Sequence, residues 1–576
     1  MATDPDNKVI IAVDFGTTFS GAAWAQVSNP EKHFIINQWP YNATDSLDGM
    51  TSEKVPSEIA YQYGDSGPKY LWGFQIPQSM PRHQWLKLGL SKERKLGLGS
   101  RLSCSHQDIR RIPGPYHSSS EALVVDYLSG LRDHIFSNFK RQIGSSFDDK
   151  NAKFIITVPA IWSDHEKMKT LSCAEKAGFG GVSQVRVISE PEAAAMHSLH
   201  TPGLHGLKSG DTVVLCDAGG GTVDLITFSI VEMEPIIRLK EEAPGDGGLC
   251  GSTFLDRRFE EFLTEKLSSL SGWGFDTLEE AMARFETVAK RTFSGSPNDP
   301  FMFPVPGLSD NEEIGIRRGR LQLMGDQMFG LFTPVLEEVY NLVKGQVRIS
   351  SKKVKAIFLV GGFGQSPFLL KFLREKFSPD IEVLVPPDGW TAVVRGALLK
   401  ALGEMVPSAI STSVVSRVAR KHYGTTKAIK FMEGVHNSQK KYWNYFHGEY
   451  HIQVMEWFIK KGDSIRETVP VITTWHERQL KSNGAWDSIQ VTLYELDSHM
   501  GKDPPLYFNR SMKKHADLNP PLSKIQKGRL PIVKGTDGED YYHIQYEIHA
   551  AYFSAHCQYS LWYEGVNHGD VKVDYV

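Results

Sequence analysis

The chain has 576 residues, length enough for several domains, and 41% of them are hydrophobic, enough to fill real cores. With 64 basic and 67 acidic residues the formal charge is −3, which argues against a polyanion, and so against nucleic acid, as the main ligand. Cys104, Cys173, Cys216, Cys250 and Cys557 lie too far apart for a metal-ligand pattern and are odd in number, which reads as reduced thiols in a cytoplasmic protein.

Met1 to Lys8 is polar and leads straight into an apolar run, so no signal peptide is expected. No apolar stretch approaches the roughly 20 residues that a membrane span needs. The run Val9-Ile10-Ile11-Ala12-Val13 ends in Asp14-Phe15-Gly16-Thr17-Thr18 and then more apolar residues, the pattern of a β-hairpin. Glycine in such a turn lets backbone N–H groups approach an oxyanion, and the hydroxyls of Thr17 and Thr18 add donors. A basic segment follows at 83 to 117, with Lys87, Lys92, Arg94, Lys95, Arg101, Arg110 and Arg111 among glycines and serines; it reads as an exposed insertion. Next come a helix near 121 to 142, a strand near 153 to 158, a helix near 164 to 177 and the strand-like Val185-Arg186-Val187-Ile188 before Glu190-Pro191-Glu192-Ala193. Strands alternating with helices argue for an α/β core.

The first pattern then repeats. Thr212-Val213-Val214-Leu215-Cys216 runs into Asp217-Ala218-Gly219-Gly220-Gly221-Thr222-Val223-Asp224, a second hairpin. Taken singly, either turn is ordinary turn chemistry. Taken together, they predict two facing hairpins that grip a di- or triphosphate, with Asp14 and Asp217 facing each other across a cleft where a hydrated divalent cation on the phosphates needs carboxylates. Helices are expected near 253 to 268, 278 to 292 and 320 to 344, and a strand near 355 to 360 ends in Val360-Gly361-Gly362. Ser366-Pro367, a cap residue and a first-turn proline, opens a helix near 366 to 377, and Gly389-Trp390-Thr391-Ala392 follows. Beyond 404, Trp457 to Asp463, Thr468 to Thr474, Ile489 to Tyr494 and Tyr541 to Tyr552 alternate over short runs, which predicts an antiparallel sandwich. The aromatic-rich stretch 441 to 458 packs in the core of that domain or lines a ligand groove.

These segments, in this order, resemble the actin-like ATPase superfamily and, within it, the DnaK-type heat shock protein 70 family. The stretches that carry the resemblance are Val13 to Ser20, Ile155 to Ala160, Ile188 to Ala195, Asp217 to Asp224 and Ala289 to Ser294, and it spans roughly 8 to 403. It implies a two-lobed α/β fold of the actin-like (ribonuclease H-like) kind over 1 to 403. Lobe I runs from about 8 to 207 and lobe II from about 208 to 403, with the chain returning to lobe I near 390 to 403. A β-rich C-terminal domain, 404 to 576, resembles a substrate-binding β-sandwich. The chain ends on the strand-like Val571 to Val576, which leaves no room for a helical lid, as in the divergent heat-shock-70-like proteins of fungi and animals.

The resemblance also implies the site. ATP or ADP with Mg²⁺ is the expected cofactor, the metal held through water by Asp14 and Asp217. Asp14, Glu190, Asp217, Thr222 and Asp224 are the catalytic candidates, Glu190 orienting the metal's water shell and the attacking water. A cap for the helix that begins near Pro191 is the plainer role for Glu190. Gly16, Thr17, Thr18, Gly219, Gly220, Gly221, Thr222 and Gly251 are expected around the phosphates. Lys290, Arg291, Ser294, Gly361, Gly362, Phe363, Gln365 and Asp388 are expected around the nucleoside. A protein or peptide client is expected on the C-terminal domain, with co-chaperones left open.

Three departures accompany the matches. The family's catalytic lysine, four residues after a glycine, is missing: Phe74-Gln75-Ile76-Pro77 follows Gly73, which leaves Lys69 and Lys87 as candidates to replace it. Phe363-Gly364-Gln365 stands where the family has an arginine against adenine, so base recognition is looser or runs through Phe363. Pro159 and Lys167 stand at the family's interdomain relay, where lysine lacks arginine's planar fork, and Glu404 to Ile410 lacks the family's apolar-acidic linker. The sequence therefore predicts a slow Mg-dependent ATPase that gates client binding. A non-hydrolysing nucleotide-gated module and a small-molecule kinase of the same superfamily are the alternatives.

Overall fold

The computed structural model describes residues 8–42, 51–64, 67–77, 80–91, 119–144, 149–181, 183–200, 206–409, 412–486, 488–498, 502–525 and 530–576. Most of the basic insertion, Lys92, Arg94, Lys95, Arg101, Arg110 and Arg111, and Cys104 lie outside the described residues. The chain divides into two units, Met1–Ser413 and Val414–Val576.

In the first unit one motif occurs twice. Val9–Asp14 pairs antiparallel with Phe19–Gln26 on one side and parallel with Ala152–Val158 on the other, and Val185–Ser189 extends the parallel side. Thr212–Ala218 repeats the arrangement: antiparallel to Val223–Glu232, parallel to Val354–Val360, with Glu382–Leu384 beyond. Both central strands are buried at every position. A strand flanked on both edges and covered on both faces has to be a continuous apolar run, and these two are. Asp14 is the last residue of the first strand and Asp217 the next to last of the second, so the fold delivers the two hairpin turns at corresponding ends of the two sheets.

Helices complete the layers. Ser119 caps Ser120–Ile143 by accepting from the Ala122 N–H at 3.2 Å, and Ser163 with Glu166 forms a reciprocal cap on Asp164–Lys176. Ser366 Oγ accepts from Leu369 N–H at 3.4 Å, with Pro367 in the first turn of Pro367–Phe377, as its sequence requires. Two expectations change. The helix expected from 320 begins at Gly325, because Arg320–Met324 is a strand paired with Pro300–Pro304 and its apolar residues alternate between the two faces. The helix expected over 278 to 292 starts at Phe275, and Phe285–Ala289 forms a π-turn between Arg284 and Lys290. The Phe285 ring stacks on Phe259 at 4.2 Å inside the lobe II core.

The second unit is a sandwich of two antiparallel sheets. One contains His422–Lys430, Glu449–Ile459, Val491–Leu496, Lys513–Asn519 and Lys572–Tyr575; the other contains Val471–Leu480, Asp540–Tyr552, Cys557–Tyr563 and Val566–Asp570. Val491, Leu493 and Leu518 from the first share a core with Ile544, Ile548 and Leu561 from the second. The aromatic stretch is divided: Phe458 packs against that core and Trp457 against Met455, Leu496 and Met512, while Tyr442, Trp443, Tyr445 and Tyr450 are exposed, and the Lys441 ammonium lies 4.7 Å from the Tyr450 ring.

The last helix of the first unit, Ala392–Met405, packs on Glu190–Ser198 and on the central strand of lobe I. The approach is so close that a Cβ on Gly396 would come within 1.6 Å of the Ala193 carbonyl oxygen. Backbone cannot yield as a side chain can. Gly396→Val is therefore expected to destabilise the first unit by about 2 kcal/mol or more, seen as an earlier midpoint in urea unfolding; an unchanged midpoint would refute this packing.

Candidate functional site

The first hairpin turn, Phe15 to Thr18, is anchored by Phe15, which is fully buried 5.9 Å from the Tyr127 ring. Gly16 is required there, since a Cβ would stand 2.1 Å from the Phe19 carbonyl oxygen. Asp14 sits opposite Gly21 across the hairpin. Its Oδ1 accepts from the Thr157 hydroxyl at 2.9 Å and its Oδ2 from the Lys54 ammonium at 2.6 Å.

The second hairpin is closed by the Gly219 N–H donating to the Thr222 carbonyl at 3.0 Å. The carbonyls of Gly221, Gly219 and Gly220 accept from the N–H groups of Gly251, Ser252 and Thr253 at 3.3, 3.1 and 2.9 Å, so the turn is held by the start of the helix Thr253–Leu267. Gly251 allows this contact, because a Cβ would lie 2.3 Å from the Gly220 oxygen. The two turns meet tip to tip. A Cβ on Gly220 would come within 2.2 Å of Thr18 Oγ1, and one on Gly221 within 2.6 Å of Thr17 Oγ1.

Beneath the turns lies a buried charge cluster. Asp14, Glu190, Asp217 and Asp224 are each 1–8% exposed, and with them Lys54 and Lys87 are 6% and 2% exposed. Lys87 ion-pairs with Glu190, the first residue of the helix Glu190–Ser198, and its ammonium lies 5.8 Å from the Phe15 ring and 5.7 Å from the Trp162 ring. Asp224 Oδ1 accepts from the Ala160 and Ile161 N–H groups at 2.9 and 3.4 Å, which ties lobe II to the loop that follows the lobe I strand Ala152–Val158. Asp217 and Asp224 stand directly opposite each other across their hairpin. Like charges so placed repel.

The carboxyls respond unequally. Burial pushes Asp217 up to about 7, and the neighbouring Asp224 and Asp14 add to the rise. Burial also raises Glu190, with Lys87 opposing and Asp224, Asp14 and Asp217 reinforcing. For Asp14 burial is outweighed by Lys54 and Lys87, and its carboxyl is held below the ordinary range. Counted formally, four carboxylates against two ammoniums leave two negative charges in excess. That charge suits a divalent cation. Among the described residues no group of three His, Cys, Asp or Glu side chains is arranged to hold an ion directly.

On the nucleoside side, Lys290 binds both carboxylate oxygens of Asp256, at 2.6 and 2.7 Å, while Arg291 is exposed and Ser294 half-buried. Lys290 follows the π-turn, an irregularity often found at functional sites. Gly361, at φ +85°, abuts Asp217: a Cβ would lie 2.4 Å from its Oδ1. The Gly361 N–H donates to the Gly389 carbonyl at 3.0 Å, and Gly389 lies under the Gln365 amide. Gly362, Gln365 and Asp388 are exposed along this edge. Phe363 is not, being 4% exposed within the lobe II core, so the aromatic route to base recognition is closed to it.

Of the two lysines named as replacements, Lys69 is exposed and Lys87 is in the site. Lys87 is therefore no part of an exposed insertion. Lys54 was not anticipated; its only sequence signal is its place before Val55-Pro56, a short strand that pairs with the first hairpin. At the relay positions, Lys167 pairs with Asp164 on its own helix at 3.0 Å, and Pro159 precedes the amide that binds Asp224.

Comparison with known proteins agrees with this geometry. The family described as Hsp70 protein matches residues 129–407, which include Glu190, the second hairpin and the Gly361-Gly362 turn. Heat shock 70 kDa protein 12A of Homo sapiens is 24% identical across 75% of this chain and 74% of its own, and the Mus musculus protein gives the same values. Heat shock 70 kDa protein 12B of Homo sapiens is 23% identical across 68% of each. Over residues 129–407 the chain is thus similar to heat shock 70 proteins, and its first unit has the actin-like two-lobed α/β fold.

The raised Asp217 carboxyl has a consequence for stability. An acid whose pKa is higher folded than unfolded loses stability as pH climbs from its ordinary value, 3.8, through its folded value, about 7. Asp217→Asn should therefore stabilise the ligand-free protein by on the order of 1 kcal/mol or more above neutral pH. The gain should fade as pH falls toward 4. Thermal unfolding across that range checks it; a variant less stable than wild type at pH 8 would contradict the charge cluster as described.

Proposed function

We propose that this protein binds ATP and ADP between the two hairpin turns and hydrolyses ATP slowly, its nucleotide state governing a protein or peptide client on the C-terminal unit. One observation carries the reading: two glycine-threonine turns meet tip to tip directly above four buried carboxylates and two buried ammoniums. Backbone N–H groups and the Thr17, Thr18 and Thr222 hydroxyls supply neutral donors for phosphate oxygens, and the carboxylates below supply the negative field that a hydrated cation neutralises. Bound there, Mg²⁺ would offset phosphate charge and fix the phosphate orientation.

The chain's own groups divide the remaining work. Thr222 and Asp224 take the part of orienting the attacking water, a reading supported by the Ala160 and Ile161 amides that fix Asp224. Water attacks the γ-phosphorus in line, the bond to the β–γ bridging oxygen breaks, and ADP and inorganic phosphate leave. Lys87, with its charge delivered into a buried site, takes the part of the missing family lysine and offsets the charge that develops on the transferred group. Glu190 positions Lys87 and orders water beside it. The exposed aromatics of the C-terminal sandwich favour client binding there. The buried thiols Cys173, Cys216 and Cys250 suit a reducing cytoplasm, and no helix among the described residues is long and apolar enough to cross a membrane.

The test is calorimetric titration of ATP and ADP with Mg²⁺, paired with single-turnover phosphate release. Binding with slow release is expected; binding without release would convert the reading to a non-hydrolysing module. Lys87→Met should lower phosphate release on the order of a hundredfold while ADP still binds. Release at the wild-type rate would remove Lys87 from the role assigned to it.

A further inference from the structure

Lys54 has no place in the mechanism above, yet it is the most carefully delivered charge in the site. Its carrier is the two-residue strand Val55–Pro56, paired with Phe19 and Ser20 immediately after the first phosphate turn. The Ser57 N–H donates to the Thr18 carbonyl at 2.8 Å, and the Ser20 and Ser57 hydroxyls meet at 2.8 Å. On the other side the Ser52 hydroxyl donates to the Lys54 carbonyl at 2.7 Å, and the Trp39 indole N–H to the Ser52 carbonyl at 2.7 Å. The segment is thus fastened along the hairpin that carries Asp14, Thr17 and Thr18.

The side chain reaches the carboxylate through a gap left for it. Gly21 is the residue opposite Asp14, and a Cβ there would lie 3.2 Å from Lys54 Cγ. Any larger residue would crowd the lysine stem. With Lys54 on Oδ2 and Thr157 on Oδ1, both oxygens of Asp14 are already engaged. A carboxylate meant to act mainly through a metal's water shell does not need a resident ammonium of its own. An ammonium carries three donors, and Asp14 takes one.

We infer that Lys54 is an internal cation of the phosphate site, standing at Asp14 for part of the charge that a divalent metal would supply, so that a nucleoside diphosphate binds with little dependence on divalent cation. The inference rests on the nucleotide reading given above. It concerns affinity and not turnover, since Lys54 brings its charge to the site whether or not a metal accompanies the phosphates. A purely structural role, a counter-ion that keeps buried Asp14 in place, predicts something different: loss of Lys54 would weaken the fold without changing how binding depends on metal.

Titration of ADP into the full chain, in Mg²⁺ and again in excess EDTA, decides between them. For the wild type the two dissociation constants should agree within about tenfold; a wider gap overturns the inference. Lys54→Met should widen the gap by about tenfold or more, and Lys54→Arg, which keeps the charge, should retain the wild-type ratio. Thermal unfolding of each variant shows whether it is folded, and a folded Lys54→Met with an unchanged ratio also overturns the inference. If Lys54→Met does not fold, the wild-type pair of titrations still decides. Absence of ADP binding in both buffers would instead refute the nucleotide reading itself, and the inference with it.

Discussion

Everything in the first unit depends on holding four carboxylates together out of water. Burying charges is costly unless each is met by an opposite charge or by hydrogen-bond donors. The fold meets the demand from both lobes at once. Thr157 on one lobe I strand donates to Asp14 on its neighbour, and the amides just beyond Thr157 donate to Asp224 of lobe II. One short stretch, Thr157 to Ile161, thereby serves both hairpins. The same logic explains the glycines: Gly16, Gly220, Gly221, Gly251 and Gly361 stand where backbones or hydroxyls come within what a Cβ would occupy. They let two turns, a helix start and a third loop converge on one point.

The two lobes repeat a topology but not a charge. Opposite Asp14 is Gly21, and the space admits a lysine; opposite Asp217 is Asp224, and the pairing doubles the negative charge. Lobe I therefore carries its own compensation and holds its aspartate ionised, while lobe II holds Asp217 partly protonated near neutral pH. A duplicated scaffold with one altered cross-strand partner is enough to make two equivalent turns electrostatically different.

The parts of this site that were legible in the sequence are those whose chemistry is local. A turn has to place glycine and threonine within a few residues, so both hairpins, the Ser366-Pro367 helix start and Glu190 at the head of its helix could be read directly. Lys54 could not, and Lys87 could be named only as one of two candidates. They reach Asp14 and Glu190 across 40 and 103 residues, and no local pattern marks a lysine as inward-facing when its partner is set by sheet pairing. Phe363 was misplaced for a related reason: a residue beside a glycine turn can face the cleft or the core, and only the packing of lobe II decides. At 320 the error was one of period, since Leu321 and Leu323 fit a strand of alternating faces as well as the start of the helix that follows.

The C-terminal unit shows what local reading settles and what it leaves open. Alternation correctly marked a sandwich, because its inner faces must be apolar whatever the unit does. It could not say which side of the sandwich the aromatics would take. Trp443 and Tyr450 stand on paired strands with their rings 5.0 Å apart and edge to face, both exposed, and Tyr445 lies in the turn between those strands. Rings that meet each other in water give up part of their apolar surface without gaining a core. Lysines laid over them, Lys441 on Tyr450 and Phe431, keep the patch solvated while leaving the ring edges open. The apolar core of the sandwich is fully formed without these rings, so closing that core does not account for them.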